Sequence, residues 1–175
     1  MIFAIVSLIL LASFKKGEPE LNERSFNDTV KALILSETNK QRHVYGSSPV
    51  TMLPILSVTV EAHVSDMINR NYFSHSSPEN TNPFQRLQAH MEGQRKKFGH
   101  SDNINFIGEN LHKKRFHKLQ DEICVAKVIV ADFMMSDGHR ASMIEPRFTH
   151  VGISVKSIKY SRKEHVVFVG MLFGD

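Results

Sequence analysis

The sequence predicts a mixed α/β (α+β) domain in which a small, mainly antiparallel sheet lies between two layers of helices. Its 175 residues and 41% hydrophobic composition suit one globular core and leave little room for a second. Apolar residues recur at three- and four-residue spacings through most of the chain, as they do in amphipathic helices. The last third changes to alternation and then to a run that is apolar on both faces, which is typical of strands covered on both sides. We therefore expect a three-layer α-β-α sandwich.

The chain begins with an apolar run, Met1 to Phe14, that two lysines follow. This run resembles the hydrophobic region of a secretory signal, although no basic residue precedes it. Fourteen helical residues span about 21 Å, which is less than the roughly 30 Å of a hydrocarbon core. We expect residues 1–14 to direct export, residues 15–28 to form a polar tether and residues 29–175 to form the folded domain.

Three amphipathic helices are predicted in the first part of the domain. The first covers about residues 29–45 and the second about residues 54–71, each with one apolar face. A loop rich in serine, proline and asparagine follows over residues 73–82. Asn82 as the cap and Pro83 in the first turn then begin a short third helix. Functional residues commonly lie on such a loop.

The rest of the domain is predicted to contain strands and one long helix. A short strand leads through residues 104–111. A helix follows over residues 119–138 and ends at Gly138, because glycine tolerates positive φ. Two antiparallel strands, residues 151–156 and 166–173, complete the sheet.

Charge and cysteine content argue against several classes of function. The formal net charge is +4, and we expect the densest basic clusters, residues 95–97 and 113–115, to be solvated loop faces. The chain has no tryptophan on which bases could stack, so we expect no nucleic-acid partner. Cys124 is the only cysteine, so no internal disulfide can form. Its apolar helical surroundings favour an inert core thiol over a nucleophile.

Three short segments place polar, chemically active side chains beside flexible backbone. They contain His75, Glu109 and His139. Two imidazoles and one carboxylate suit zinc or another divalent metal with an open coordination position. Without a metal, the same groups could serve as acid and base, since histidine titrates near neutrality. The segments are far apart in sequence, so their convergence is a hypothesis.

The motifs around these residues occur in a definite order. They are Ala62-His63-Val64-Ser65-Asp66-Met67, Asn71-Tyr72-Phe73-Ser74-His75-Ser76-Ser77-Pro78, Pro83-Phe84-Gln85-Arg86, Gly108-Glu109-Asn110, Ser136-Asp137-Gly138-His139-Arg140 and Pro146-Arg147-Phe148-Thr149-His150-Val151-Gly152. The ordered set covers about residues 31–174. It resembles bacterial domains of the CAP superfamily, which comprises the cysteine-rich secretory, antigen 5 and pathogenesis-related proteins.

The resemblance implies an α-β-α sandwich with a central cleft in which His75, Glu109 and His139 bind a divalent metal. Glu109 would be the catalytic group if the protein is an enzyme. The fuller family pattern has a second glutamate at the position of Ser136, and its absence weakens the case for tight metal binding.

Further residues of these motifs are expected to support the cleft. Asp137 stands where relatives have proline, and we expect it to orient the ring of His139. Ser136, Asn110 and Ser74 are expected to line the cleft.

Each of these residues also has a simpler, structural interpretation. His75 would bond to backbone, Glu109 would cap strand-end amides, and His139 would satisfy carbonyls of the preceding helix. His63, Asp66 and Arg140 are expected to be structural, with His63 and Asp66 paired, and Arg86 is expected to pack or form an ion pair.

The resemblance leaves two classes of function open, because the fold alone does not settle function. The first is a secreted or cell-surface binding module for a lipid, a sterol or a host protein. It is favoured because the motifs hold no serine or cysteine nucleophile beside a base. The alternative is a zinc-dependent protease or esterase that uses the same cleft. We also expect the protein to be a monomer. A further expectation is that it associates peripherally with a membrane.

Overall fold

The computed structural model describes residues 21–99, 102–117 and 121–175. The helices of this part are α1 (Leu21–Val44), α2 (Pro54–Asn69), α3 (Pro83–Phe98), α4 (Glu122–Met135) and α5 (Asp137–Ile144). The strands are β1 (Thr51–Met52), β2 (Ile107–His117), β3 (His150–Lys159) and β4 (Glu164–Gly174). No helix among the described residues is long and apolar enough to cross a membrane.

The strands form one sheet in the order β1-β3-β4-β2. The β3–β4 hairpin and the β4–β2 pair are antiparallel, whereas the short β1 pairs in parallel with the start of β3. The sheet is therefore mainly antiparallel, as predicted, and β2 is an edge strand along its whole length.

Two hydrophobic cores cover the two faces of the sheet. In β4, Val169 and Met171 belong to the core beneath α1, α4 and α5, whereas Phe168 and Leu172 belong to the core beneath α2 and α3. Successive residues of a strand point to opposite faces, so an apolar β4 serves both cores. The predicted α-β-α sandwich is confirmed.

Helix α2 lies unusually close to strands β3 and β4 of the sheet. A Cβ added to Gly152 would lie 2.2 Å from the backbone carbon of Leu56, and one added to Gly170 would lie 2.6 Å from the Val60 side chain. Only glycine fits at such positions, which allows the helix backbone to lie directly on the sheet.

A buried arginine joins α1 to the segments around α5. Arg42 has no exposed surface. Its guanidinium donates to four backbone oxygens, at distances of 2.7 to 3.1 Å, and these belong to Ser48, Met143, Glu145 and Phe148. Burial lowers the pKa of Arg42, and the charge of Glu145 opposes that shift.

The structure corrects the predicted start of the domain. Residues 21–28, expected to be tether, form the first two turns of α1. Phe26 is buried in the core, and Asn27 Oδ1 accepts a hydrogen bond from the Ser157 amide at 3.0 Å. These tertiary contacts extend the helix beyond its periodic part. The export segment, residues 1–14, and tether residues 15–20 lie outside the described residues.

Two further boundaries differ from the prediction. The third helix continues to Phe98, where Gly99, at φ +79°, ends it, so the basic cluster of residues 95–97 lies in its last turn and not in a loop. Strand β2 continues to His117 because it pairs with β4 throughout, so the basic cluster of residues 113–115 lies on a strand and not in a loop.

Gly138 does not end the long helix, as the sequence suggested. Helix α4 ends at Met135, and Ser136 is extended, with φ −98° and ψ 122°. Gly138 lies in the first turn of α5. The glycines with positive φ among the described residues are Gly46 and Gly99.

Candidate functional site

The loop that carries His75 is held where it leaves α2. The Arg70 guanidinium bonds to both Asp66 and Glu79, and the Tyr72 hydroxyl donates to Asp66 Oδ2 at 2.5 Å. The hydrogen bond from Arg70 lowers the pKa of Glu79 to about 2. Burial, together with the bond to Asp66, raises the pKa of Tyr72 to about 12. Asp66 thus holds both Arg70 and Tyr72 at the end of α2.

The backbone on both sides of His75 is also fixed. His63 Nε2 lies 2.8 Å from the Ser74 carbonyl oxygen, and Arg86 Nη1 donates to the carbonyls of His75 at 2.8 Å and Thr81 at 2.9 Å. His63 is a satisfied core histidine, as predicted, but its hydrogen-bond partner is Ser74 and not Asp66. Burial lowers its pKa, so the neutral ring is favoured.

At the centre of the site, one carboxylate joins a histidine and an arginine. Glu109 Oε2 lies 2.9 Å from His75 Nδ1, and Glu109 Oε1 accepts from Arg86 Nη2 at 2.7 Å. The Glu109 side chain is 3% exposed and that of Arg86 is 11% exposed, whereas that of His75 is 53% exposed. A buried ion pair therefore orients an imidazole that faces solvent.

The alternation of β2 explains which residues meet. Glu109 lies opposite Leu172, on the face of α2 and α3, so it faces the His75 loop. Asn110 points to the other face, where its amide donates to the His139 backbone oxygen at 2.9 Å. Asn110 Oδ1 is buried without a partner. The edge strand β2 thus lies between His75, on one face of the sheet, and His139, on the other.

His139 is near this group but contacts another residue. Its ring packs edge-on against Phe133, with the ring centroids 5.2 Å apart. Desolvation lowers the pKa of His139, and the charges of His75 and His112 lower it further. Of the three residues predicted to converge, His75 and Glu109 are therefore in direct contact. His139 is near enough for the charge of His75 to lower its pKa.

The arrangement does not fit a bound metal ion. Both oxygens of Glu109 already accept hydrogen bonds, and the guanidinium of Arg86 supplies the positive charge that an ion would supply. Among residues 21–99, 102–117 and 121–175, no group of three or more His, Cys, Asp and Glu side chains could hold a metal. The position of the second family glutamate is Ser136, which adds no carboxylate.

The structure assigns Asp137 a different role from the one predicted. Its carboxylate is 93% exposed and accepts from Arg140 Nη2 at 2.6 Å, three residues further along α5, so the expectation that it orients the His139 ring is wrong. Arg140 also donates to the Met134 carbonyl and so links α5 to the end of α4. Ser136 joins α4 to α5 without a side-chain cap bond, and the hydroxyl of Ser74 accepts from the Ser76 amide.

The simpler interpretations of the three central residues also change. The described partners of Glu109 are His75 and Arg86, not strand-end amides. The His75 ring contacts a carboxylate and not the backbone. His139 lies in the first turn of α5, and its described contacts are the Asn110 amide at its backbone oxygen and the Phe133 ring at its side chain.

Sequence reasoning missed a second polar cluster, on the other face of β2. His112 Nε2 and Lys114 Nζ lie 2.9 and 2.7 Å from Asp132 Oδ2 of α4, and the His112 ring packs edge-on against Phe133. Burial lowers the pKa of His112. Polar residues alternate at positions 110, 112 and 114, and this pattern would have revealed the inner face of a longer strand.

Two clefts lie away from this site. One, of about 230 Å³, is lined by Phe84, Met91, Ile104 and neighbouring polar residues. The other, of about 380 Å³, lies between the start of α1, Glu61 of α2 and residues 154–156 of β3. Neither includes His75, Glu109 or His139.

Comparison with known proteins agrees with the fold and the motifs. The uncharacterised protein YkwD of Bacillus subtilis is 32% identical over 120 residues, which are 69% of this chain and 40% of that protein. This chain therefore spans less than half of that relative.

Solved structures show the same fold. An extracellular protein of Bacillus anthracis that contains an SCP domain matches 90% of this chain and 44% of its own, at 21% identity and a TM-score of 0.64. An outer surface protein of Borrelia burgdorferi matches 83% of this chain and 92% of its own, at 15% identity and a TM-score of 0.61.

The family assignment comes from the sequence profile of the cysteine-rich secretory protein family, called CAP. It matches residues 35–172, which include His75, Glu109 and His139. The chain belongs to this CAP family.

Proposed function

We propose that this chain is exported and acts outside the cytoplasm as a binding module. Its ligand, a lipid, a sterol or a host or partner protein, contacts the exposed imidazole of His75. One observation carries the proposal: an imidazole that is 53% exposed is held in place by a carboxylate that is 3% exposed. Such pre-organisation lowers the entropy cost of binding.

The chemistry of the site favours a neutral ligand with one polar group. When His75 is neutral and Nδ1 donates to Glu109, Nε2 is left as a hydrogen-bond acceptor. Arg86 neutralises Glu109, so the site does not require a cation. A hydroxyl group of a sterol, or an amide of a protein partner, can donate to Nε2.

An exposed aromatic ring lies on the same loop as this acceptor. Phe73, two residues before His75, is 44% exposed, and its ring lies 6.3 Å from that of Phe168. An aromatic ring on the same loop as a polar anchor suits a ligand with an apolar body.

Two observations support export. Residues Met1 to Phe14 resemble the hydrophobic region of a secretory signal. Similar structures come from proteins described as an extracellular protein and an outer surface protein.

Metal-dependent hydrolysis, the alternative function, has no comparable support. The carboxylate of Glu109, which a metal would need, is already in an ion pair with Arg86.

The test is a binding titration of the full chain with a fluorescent sterol and a fluorescent fatty acid. His75→Ala should weaken binding about tenfold, the cost of one hydrogen bond of roughly 1.4 kcal/mol. His43→Ala is the matched control, since His43 is exposed at the end of α1, and should bind as the wild type does. Circular dichroism would confirm that both variants fold.

Two outcomes would reject the proposal. One is equal affinity of the His75→Ala variant and the wild type. The other is no binding of sterols or fatty acids together with no change of the His75 ring signals in NMR when secreted proteins from the same culture are added.

A further inference from the structure

One end of the sheet is strongly basic. The β2–β4 pairing and the β3–β4 hairpin bring residues 113–117 beside residues 159–165, and we call these two stretches the basic hairpin surface. Its cations are Lys113, Arg115, Lys159, Arg162 and Lys163, whereas Lys114 points to the opposite face of β2 and pairs with Asp132. The two stretches are more than forty residues apart in sequence, so only the fold joins them.

Few carboxylates offset these charges. Glu164 is the acidic residue within the two stretches, where it lies 3.6 Å from Arg115. The five cations less this carboxylate leave +4, which equals the formal net charge of all 175 residues. Lys159, Arg162 and Lys163 are exposed at the turn.

An aromatic ring stands among these cations. Tyr160 is 64% exposed, and the Arg115 guanidinium lies 4.4 Å from its ring centroid. Tyrosine with an apolar ring and a polar hydroxyl is enriched where proteins meet a membrane surface. Cations without such a ring would fit any polyanion, so Tyr160 favours a lipid surface.

We propose that the basic hairpin surface docks this protein on a bilayer that contains anionic phospholipids. Each Lys or Arg near such a surface adds to the electrostatic attraction, and Tyr160 enters the headgroup region. The His75 site lies at the other end of β2, about 27 Å from His117 at roughly 3.4 Å per residue. Docking therefore leaves that site open to solvent.

The first experiment measures binding of the full chain to vesicles of phosphatidylcholine with and without phosphatidylglycerol. The double variant Arg162→Glu/Lys163→Glu should bind the anionic vesicles at least about tenfold more weakly than the wild type does. The matched control, Lys96→Glu/Lys97→Glu, makes the same change of net charge at the end of α3 and should retain wild-type binding. Raising the salt concentration should weaken wild-type binding, because the charges are exposed.

The second experiment locates the contact. The chain has no tryptophan, so Tyr160→Trp introduces a single reporter at the hairpin, and Tyr45→Trp introduces one at the exposed end of α1. Addition of anionic vesicles should shift the emission of the Tyr160→Trp variant to shorter wavelength. The emission of the Tyr45→Trp variant should not change.

Three results would overturn the proposal. Equal binding to neutral and anionic vesicles would assign the contact to an apolar segment such as residues 1–14. Equal loss in the hairpin and α3 double variants would show that net charge alone matters. In the third result, the chain binds soluble polyphosphate, this binding does not reduce vesicle binding, and vesicles do not shift the emission of the Tyr160→Trp variant. This result would assign the hairpin to a soluble polyanion. None of these results depends on the sterol or fatty-acid titration.

Discussion

Two arginines organise different parts of this molecule, and they do so with different partners. Arg42 has no exposed surface and donates to backbone oxygens alone among its described hydrogen bonds. Arg86 is 11% exposed and divides its bonds between two loop carbonyls and the Glu109 carboxylate.

The difference separates a fold contact from a site contact. Backbone carbonyls are present whatever the sequence, so Arg42 joins elements without depending on another side chain. The ion pair of Arg86 depends on Glu109, and its visible result is the orientation of His75. Replacing Arg42 should therefore affect mainly stability, whereas replacing Arg86 should affect stability and binding together.

The largest effect is expected for Arg42→Met. The substitution leaves buried carbonyl oxygens without donors, and the free energy of unfolding should fall by about 3 to 5 kcal/mol. Urea denaturation followed by circular dichroism would measure this. Arg147→Met, at an arginine whose side chain is 62% exposed, is the control and should leave the midpoint nearly unchanged. A loss below about 1 kcal/mol for Arg42→Met would contradict the comparison.

A smaller loss, about 2 kcal/mol, is expected for Arg86→Met. It leaves the buried Glu109 carboxylate with His75 as its remaining described partner. The double variant Arg86→Met/Glu109→Gln should recover part of the loss, because the uncompensated charge is gone. If the two losses simply add, the Arg86–Glu109 pair does not couple the two residues.

The next effect concerns pH. Burial lowers the pKa of His63, so between pH 6.5 and that lower value the unfolded chain binds more protons than the folded chain does. Stability should therefore be full above about pH 6.5 and fall as the solution becomes more acidic. His63→Gln should flatten the slope by up to about 1.4 kcal/mol per pH unit, while its amide still reaches the Ser74 carbonyl. An unchanged slope would show that His63 does not titrate in this range. His112 and His139 have pKa values lowered in the same direction and give the slope that remains.

The smallest effect is expected for Asp137→Ala. The carboxylate is exposed and pairs with Arg140, and such pairs contribute little. The unfolding midpoint and the NMR titration of the His139 ring should both stay as in the wild type. A displaced His139 titration would restore the role that the sequence suggested for Asp137.

Most elements of the fold could be predicted from periodicity. The start of α3, with Asn82 as the cap and Pro83 in the first turn, and the two C-terminal strands follow from capping preferences and residue alternation. The structure confirms them. The start of α1 could not be predicted, because it depends on the burial of Phe26 and on the bond from Asn27 to a strand 130 residues away. The sequence predicts the end of α4 at Gly138, but this glycine lies within the next helix.

The candidate site was predictable only in part. The motifs identified His75 and Glu109, and the structure brings them into contact. Arg86 was expected to form an ion pair, but its partner, 23 residues away, becomes evident only when β2 lies beside α3. The cluster of His112, Lys114 and Asp132 was missed because the strand was predicted to be short.

The close approach at Gly152 has a consequence for motion. With its backbone in contact with the sheet, α2 cannot slide or roll over β3 without a steric clash. Any conformational adjustment at His75 must then occur within the loop after Arg70, as a rearrangement of one short segment on a rigid base. Relaxation-dispersion NMR should therefore detect no millisecond exchange in α2, and any exchange near His75 should be confined to that segment.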